Sequence, residues 1–273
     1  MLDTFDVTAV DGRTMSFSIH DVSSGYAIED IRGLDPAKAS LVSSSFALLP
    51  GAKFQSSKRE VRNIVLTVKF MVSHSTLTVE DLRSKLYQYF MPESPVSLRF
   101  VNTSGLSVEI NGVVETFEAP LFTKEPAAEI SIICHDPDLI ESDETTISSA
   151  TTSSTTETLF DYTGTIPTGF RLVLYVNRSI ANFTLYHRTP SNQTRSLYLQ
   201  RSLVAGDVVT INTVLGEKYA RLTSGSVLSS IVGSVSPQSA WSQFSYGENA
   251  VRVAVAGNPI PYDIFYTNRY GGL

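Results

Sequence analysis

Four histidines, one cysteine and a scatter of carboxylates are the side chains in this sequence that could do chemistry. Paired carboxylates could cleave a glycosidic bond. Histidine with cysteine could hold a metal or arm a nucleophile. A carboxylate cluster could hold calcium. None of these patterns is complete. His20, His74, His135 and His187 do not stand at metal-ligand spacing from another His or Cys. Each reads as an isolated core or surface histidine. Cys134 sits inside the apolar run Ile130-Ser131-Ile132-Ile133-Cys134 and reads as a buried structural thiol. His135-Asp136-Pro137-Asp138, with Glu141 and Asp143, is the densest acid cluster. It lacks the EF-hand pattern and its mid-loop glycine, so a solvated turn closing a domain is expected there. Glu109, Glu115, Glu118 and Glu129 fall at the solvent-facing positions of alternating strands. No Gly-x-Ser-x-Gly elbow, phosphate-binding loop or dinucleotide fingerprint is present. The residues point away from an enzyme and call for no metal or cofactor.

Two groups suggest binding instead. Lys53, Lys58, Arg59 and Arg62 make a basic tip in an acidic chain. Such a tip is either a solvated hairpin end or a dock for an acidic neighbour, where charge sets register and on-rate. Trp241 and the tyrosine-rich strands around it could stack on a sugar, although the single Trp of a β-sandwich is more often buried.

The elements that must position these residues are mostly strands. Phe5–Val10 and Thr14–Ile19 alternate around Asp11-Gly12, a hairpin signal. Tyr26–Ile31 is a further short run. Ala39–Leu49 leads into Pro50-Gly51, the polar stretch Lys53–Glu60 and then Val61–Val72. In Val61–Val72 the positions Arg62, Ile64, Leu66, Val68, Phe70 and Val72 share one face, almost wholly apolar, a strong period of two. Ala39–Leu49 is expected to pair with it across an extended, basic-tipped connection. One helix is predicted. Thr78 is its N-cap, Glu80 and Asp81 lie in its first turn, and Val79, Leu82, Leu86 and Tyr89 share a face. Met91-Pro92 ends it. Strands resume at Val96–Val101, Ser107–Phe117 and Ala128–Cys134.

Residues 142–158 are almost wholly Ser, Thr and acids and read as a linker with no core of its own. The second half shows short strands near Leu159–Tyr162, Arg171–Val176, Phe183–His187, Arg195–Leu199, Asp207–Ile211, Tyr219–Leu222, Ser242–Tyr246, Ala250–Val255 and Asp263–Thr267. Gly164, Gly206, Gly216, Gly225, Gly247 and Gly257 punctuate them, the rhythm of a sandwich or jelly roll without helices. The expected fold is mainly β: an N-terminal sandwich or split barrel with one packing helix over 1–141, a linker over 142–158, and a β-sandwich over 159–273.

Composition agrees. At 273 residues each half can bury a core. Charged residues are only 18%, below the usual quarter, which suits β surfaces and surfaces covered by partners. A net charge of −6 argues against a sequence-independent nucleic-acid binder but permits DNA to pass without sticking. Met1-Leu-Asp-Thr-Phe-Asp has no basic or apolar leader region, and no run is long enough to span a bilayer. Folding in a cytoplasm is expected.

Several strings carry a resemblance. They are Arg62-Asn63-Ile64 opening a long strand, a helix with Leu82, Leu86 and Phe90, Ile110-Asn111-Gly112-Val113-Val114-Glu115, Phe122-Thr-Lys124, and Ile130 to Leu139. In this order they are similar to the N-terminal domain of siphophage distal tail proteins. Tyr162-Thr-Gly164, Gly206 to Thr213, Gly247-Glu-Asn249 and Tyr266 to Gly272 resemble that family's galectin-like C-terminal domain. Asp161 stands where the family pattern suggests asparagine. The resemblance implies a virion structural protein: a homo-hexameric ring at the distal end of the tail tube. Tail tube protein would lie above it and a tip or hub protein below, with receptor-binding or side-fibre proteins attached and DNA passing the lumen. On that reading the basic tip and its neighbour, Lys53, Lys58, Arg59, Arg62 and Asn63, are expected to supply subunit or tube contacts, and His135, Asp136 and Pro137 to form the turn that closes the domain. A tail tube subunit and a carbohydrate-binding adhesin are the rival readings.

Overall fold

The computed structural model describes residues 1–47, 50–72, 76–120 and 123–273. His74, Phe122 and the Leu48-Leu49 end of one predicted strand lie outside them. The chain forms two compact units, Met1–Ser142 with Tyr270–Leu273, and Asp143–Arg269.

The first unit contains β1 (Leu2–Ala9), β2 (Thr14–Ser18), β3 (Tyr26–Arg32), β4 (Ala39–Ser45), β5 (Ala52–Arg59) and β6 (Arg62–Phe70). Helix α1 (Val79–Tyr87) follows, then β7 (Pro95–Asn102), β8 (Ser107–Glu118), β9 (Ala127–Cys134) and β10 (Leu139–Glu141). The main sheet runs β2-β1-β7-β8-β9-β6-β3, with β10 on β8. β6 shows why. Ile64, Leu66 and Val68 lie opposite Ile132, Ile130 and Ala128 of β9, and all six are buried. Each such large side chain contributes about 1.5–3 kcal/mol when withdrawn from water. Phe5 stacks on Phe17 at 4.8 Å and on Phe100 at 5.7 Å. Phe17 of β2 meets Tyr26 of β3 edge-on at 5.7 Å. The two end strands of the sheet therefore share one core. No ladder joins them among the described residues, so β2 and β3 meet through side chains alone and the sheet stays open at that edge.

Helix α1 starts as its sequence predicts. Asp81 N donates to Thr78 Oγ1 at 3.2 Å, and Thr78 N donates back to Asp81 Oδ2 at 3.1 Å, a reciprocal capping box. Leu82, Leu86 and the following Phe90 are fully buried. Tyr26 Oη donates to the Leu82 carbonyl at 2.8 Å, tying sheet to helix.

Two expectations fail in this unit. β4 does not pair with β6. Its partner is β5, so the polar stretch Lys53–Glu60 is largely a strand and not a connection. β6 has an apolar face that must be flanked by core strands, and it takes β3 and β9. The Ser-rich β4 has nothing to offer that core.

The second unit is a two-sheet antiparallel sandwich of the expected galectin-like kind. It contains β11 (Thr145–Ala150), β12 (Thr158–Tyr162), β13 (Arg171–Tyr175), β14 (Ile180–Arg188), β15 (Thr194–Leu203), β16 (Val208–Asn212), β17 (Tyr219–Ser224), β18 (Val227–Ser230), β19 (Gly247–Ala254) and β20 (Pro261–Tyr266). One sheet runs β11-β20-β13-β16-β17-β18 and the other β12-β19-β14-β15. Phe170, Phe244, Tyr162 and Tyr266 are buried between them. The predicted strand Ser242–Tyr246 reduces to one bridge between Phe244 and Thr168, because the Phe244 ring is drawn onto Phe170 at 4.4 Å.

The Ser/Thr tract 142–158 is not a free linker. Thr145–Ala150 forms β11 on the edge of the larger sheet, opposite Tyr266–Pro261. Ser148 Oγ donates to Asp263 Oδ1 at 2.6 Å, and Ile147 packs on the core. A segment without a core of its own can still form an edge strand by borrowing its neighbour's.

Candidate assembly surface

β4 and β5 form a two-stranded arm that belongs to no other sheet. Its residues are almost all exposed. An isolated hairpin is marginal in water, since it has ladder hydrogen bonds but no buried face. Register sorts its side chains. A bulge sets Val42 opposite Ser56 and Ser43 opposite Phe54, leaving Gln55 as the extra residue. One face then carries Leu41 and Phe54, which are 69% and 59% exposed. The other carries Lys53 opposite Ser44, Lys58 opposite Ser40, and Val42 opposite Ser56. The arm is thus amphipathic across its thickness. The sequence concealed this, because the bulge shifts the alternation by one residue.

Of the predicted basic tip, Lys53 and Lys58 lie along the arm and form no ion pair with a described residue. Arg59 stands at the arm's root, where both its terminal nitrogens bond the Asp138 carboxylate, one of them at 3.1 Å. Arg62 is not at the surface. It is 3% exposed, and its guanidinium donates to four carbonyls: Pro137 at 2.8 Å, Gly33 at 2.5 Å, Asp35 at 2.7 Å and Gly271 at 2.5 Å. Four acceptors in a planar fork suit arginine alone, and they make Arg62 an internal tie, correcting its place among contact residues. Burial lowers its pKa from the ordinary value. Asn63 is exposed on β6, and its Oδ1 accepts from Ser131 Oγ at 3.0 Å.

The turn after β9 is built around the same arginine. Pro137 supplies a carbonyl to Arg62, and Asp136 Oδ1 accepts from Asp138 N at 3.2 Å. His135 lines a hollow of about 410 Å³ at the arm's root, together with Ser40, Lys58, Arg59, Glu60 and Val61. Gly33, whose carbonyl Arg62 holds, has φ +91°, and a Cβ there would lie 2.0 Å from the Asn63 carbonyl oxygen. The root of the arm is rigidly specified, while the arm itself is bare.

The remaining chemical candidates are structural. Cys134 is buried opposite Arg62, and burial pushes its thiol up to about 11, against the pull of Arg62. No group of three or more metal-holding side chains occurs among the described residues. Trp241 is half-buried against the core of the second unit. His187 is fully buried there. Its Nε2 lies 3.1 Å from Asn249 Oδ1, and its ring stands edge-on to Phe244 at 5.2 Å. Burial lowers its pKa. No helix is long and apolar enough to cross a membrane among the described residues.

Residues 163–270 match the family model described as siphovirus-type tail component, C-terminal domain. The fold of the whole chain matches the crystal structure of the Dit protein of phage SPP1, described as a paradigm of the hub adsorption apparatus in phages that infect Gram-positive bacteria. The TM-score is 0.68 at 16% identity, covering 97% of this chain and 98% of that one. Weaker likenesses are to the baseplate of phage p2 in its activated conformation. With strontium the TM-score is 0.48 at 8% identity, covering 99% of each chain. With calcium it is 0.48 at 8%, covering 100% of each. No curated protein sequence matches significantly.

Proposed function

We propose that this chain, whose residues 163–270 match the siphovirus-type tail component model and whose fold is similar to that of the SPP1 Dit protein, assembles as a homo-hexameric ring at the distal end of a siphophage tail tube. The first unit builds the ring and the second projects from it. Tail tube protein sits on one face and the tip or hub protein on the other. The ring anchors host-adsorption parts, receptor-binding or side-fibre proteins among them. The protein is made in the host cytoplasm and resides in the virion.

The observation that carries this reading is the arm. A ribbon with Leu41 and Phe54 in water on one face and Lys53 and Lys58 on the other is unfinished as a monomer. A protruding arm that meets a different surface on the next copy is a heterologous contact, which closes into a ring when the rotation permits. The net charge of −6 suits a lumen that DNA traverses without adhering.

Light scattering of the purified full chain, with negative-stain images, tests the reading. Six-fold rings, single or stacked in pairs, are expected. A monomer that binds glycans would favour an adhesin, and an open stack of rings a tube subunit.

A further inference from the structure

We infer that the lysine face of the arm docks on a carboxylate row of the main sheet in a neighbouring copy, an inference that rests on the ring reading and names its contact. The row crosses four strands: Glu118 of β8 lies opposite Glu129 of β9, Glu129 opposite Thr67 of β6, and Thr67 opposite Asp30 of β3. All four side chains share the sheet's outer face. Glu118 directly opposite Glu129 is a like-charge pair, which weakens a ladder. Arg32 is the cation that meets this row, while Lys69, on the same face of β6, is taken up by Glu29 at 2.9 Å and Glu125 at 3.3 Å. Arg32 bonds Glu129 at 3.1 Å and Asp30 at 3.4 Å, and Glu118 has no ion pair with a described residue. Glu115 adds a further exposed carboxylate beside the row, accepting from Ser131 Oγ at 2.8 Å. The main sheet thus carries a surplus of negative charge in the same unit whose arm carries two uncompensated lysines.

The spacings correspond. Lys53 and Lys58 sit opposite Ser44 and Ser40, four residues apart along β4, which is about 13 Å of extended strand. Glu118 and Asp30 are three strand-to-strand steps apart, about 14 Å. An arm laid across the neighbour's strands, in the orthogonal manner of packed sheets, brings one lysine to each end of the row. Val42 and Ser56 then lie between the two lysines, over Thr67 and Glu129, where the Ser56 hydroxyl can donate to a carboxylate oxygen. Donor and acceptor surfaces lie on different parts of the unit, so the contact is heterologous, as a ring requires.

A charge swap decides this. One variant carries Lys53→Glu and Lys58→Glu; a second carries Glu118→Lys and Asp30→Lys, at the two ends of the row. The substituted side chains are exposed, so each variant should melt as the wild type does. Alone, each juxtaposes like charges at every contact, and ring formation should fall at least tenfold at low salt. Mixed in equal amounts, the two should restore rings, because every alternating contact pairs opposite charges. Wild-type rings should also loosen as salt rises. Rings formed by either variant alone at the wild-type concentration would overturn the inference and leave the ring reading standing. Loss in both variants without restoration on mixing would overturn the pairing of these two surfaces. A wild-type chain monomeric at every concentration would overturn the ring reading and the inference together.

Discussion

Arg62 and Gly271 are 209 residues apart in the chain and are joined by a hydrogen bond of 2.5 Å from Nη2 to the carbonyl oxygen. The bond closes the first unit around the root of the arm. Leu273 N donates to the Leu34 carbonyl at 3.1 Å beside it. Gly272 passes so close to Pro36 that a Cβ would lie 2.8 Å from its ring. The segment that leaves the second unit is therefore threaded into a slot that Arg62 lines.

Replacing Arg62 by alanine should destabilise the first unit by about 3 kcal/mol, since four buried carbonyls lose their donor. Lysine should recover little of it, because a point charge cannot reach four acceptors in a plane. Urea unfolding followed by far-UV circular dichroism would show the first unit's transition move while the second stays. Equal stability of the lysine variant and the wild type would contradict the role of the fork.

Gly33→Ala should cost a comparable amount, about 3 kcal/mol or more, because left-handed backbone and a clash with the Asn63 carbonyl combine. An unchanged melting temperature would mean that the β3–β4 connection moves freely, against the tie described for Arg62.

Phe54→Ser and Leu41→Ser should leave the isolated chain's stability within about 0.5 kcal/mol, as expected of surface positions. Both should weaken assembly. Sedimentation of matched samples separates the two effects, and a large loss of monomer stability would show that the arm is packed within its own chain.

His187 should make the second unit acid-sensitive. Asn249 Nδ2 donates to the Ser245 and Gly247 carbonyls, which leaves Oδ1 as an acceptor and His187 Nε2 as its donor. Nδ1 is buried without a partner among the described residues. The charged group opposite, from β15, is Arg195, and it too disfavours a second proton. A histidine whose folded pKa is depressed contributes stability that is present above its unfolded value, near 6.5, and lost as pH falls through the folded value. Trp241 is the single tryptophan and lies in this unit, so its fluorescence reports this transition alone. Melting should fall between pH 7 and pH 5 in the wild type and much less in His187→Gln; equal slopes would refute the assignment.

Tyr26 and Cys134 act at the other end of the scale. Burial raises Tyr26 to about 12 and Cys134 to about 11. Their folded values exceed their unfolded ones, so the first unit keeps this contribution below pH 9 and loses it as pH climbs through the folded values. Tyr26→Phe, which also gives up the bond to Leu82, should start about 1 kcal/mol less stable and show a shallower alkaline decline.

What the sequence made legible was whatever a core dictates. The alternation of Ile64, Leu66, Val68 and Phe70, and the cap formed by Thr78 and Asp81, both led to the elements that formed. What stayed hidden depended on partners distant in the chain. β11 exists because Tyr266 and its neighbours offer an edge, and nothing in a Ser/Thr tract announces that. Arg62 counted with Lys58 and Arg59 in the basic tip, although the period of two also set it on the apolar face of β6. Only the arrival of Gly33, Asp35, Pro137 and Gly271 around it withdraws it from solvent.

The bond to Gly271 also sets a clock. A chain made from its N-terminus exposes Arg62 early, and for the time it takes to synthesise 209 further residues one of its four acceptors does not yet exist. The arm's root can be locked only after the whole second unit has emerged. Translation products that stop before Gly271 would carry a looser arm, so the order of synthesis itself separates finished molecules from unfinished ones.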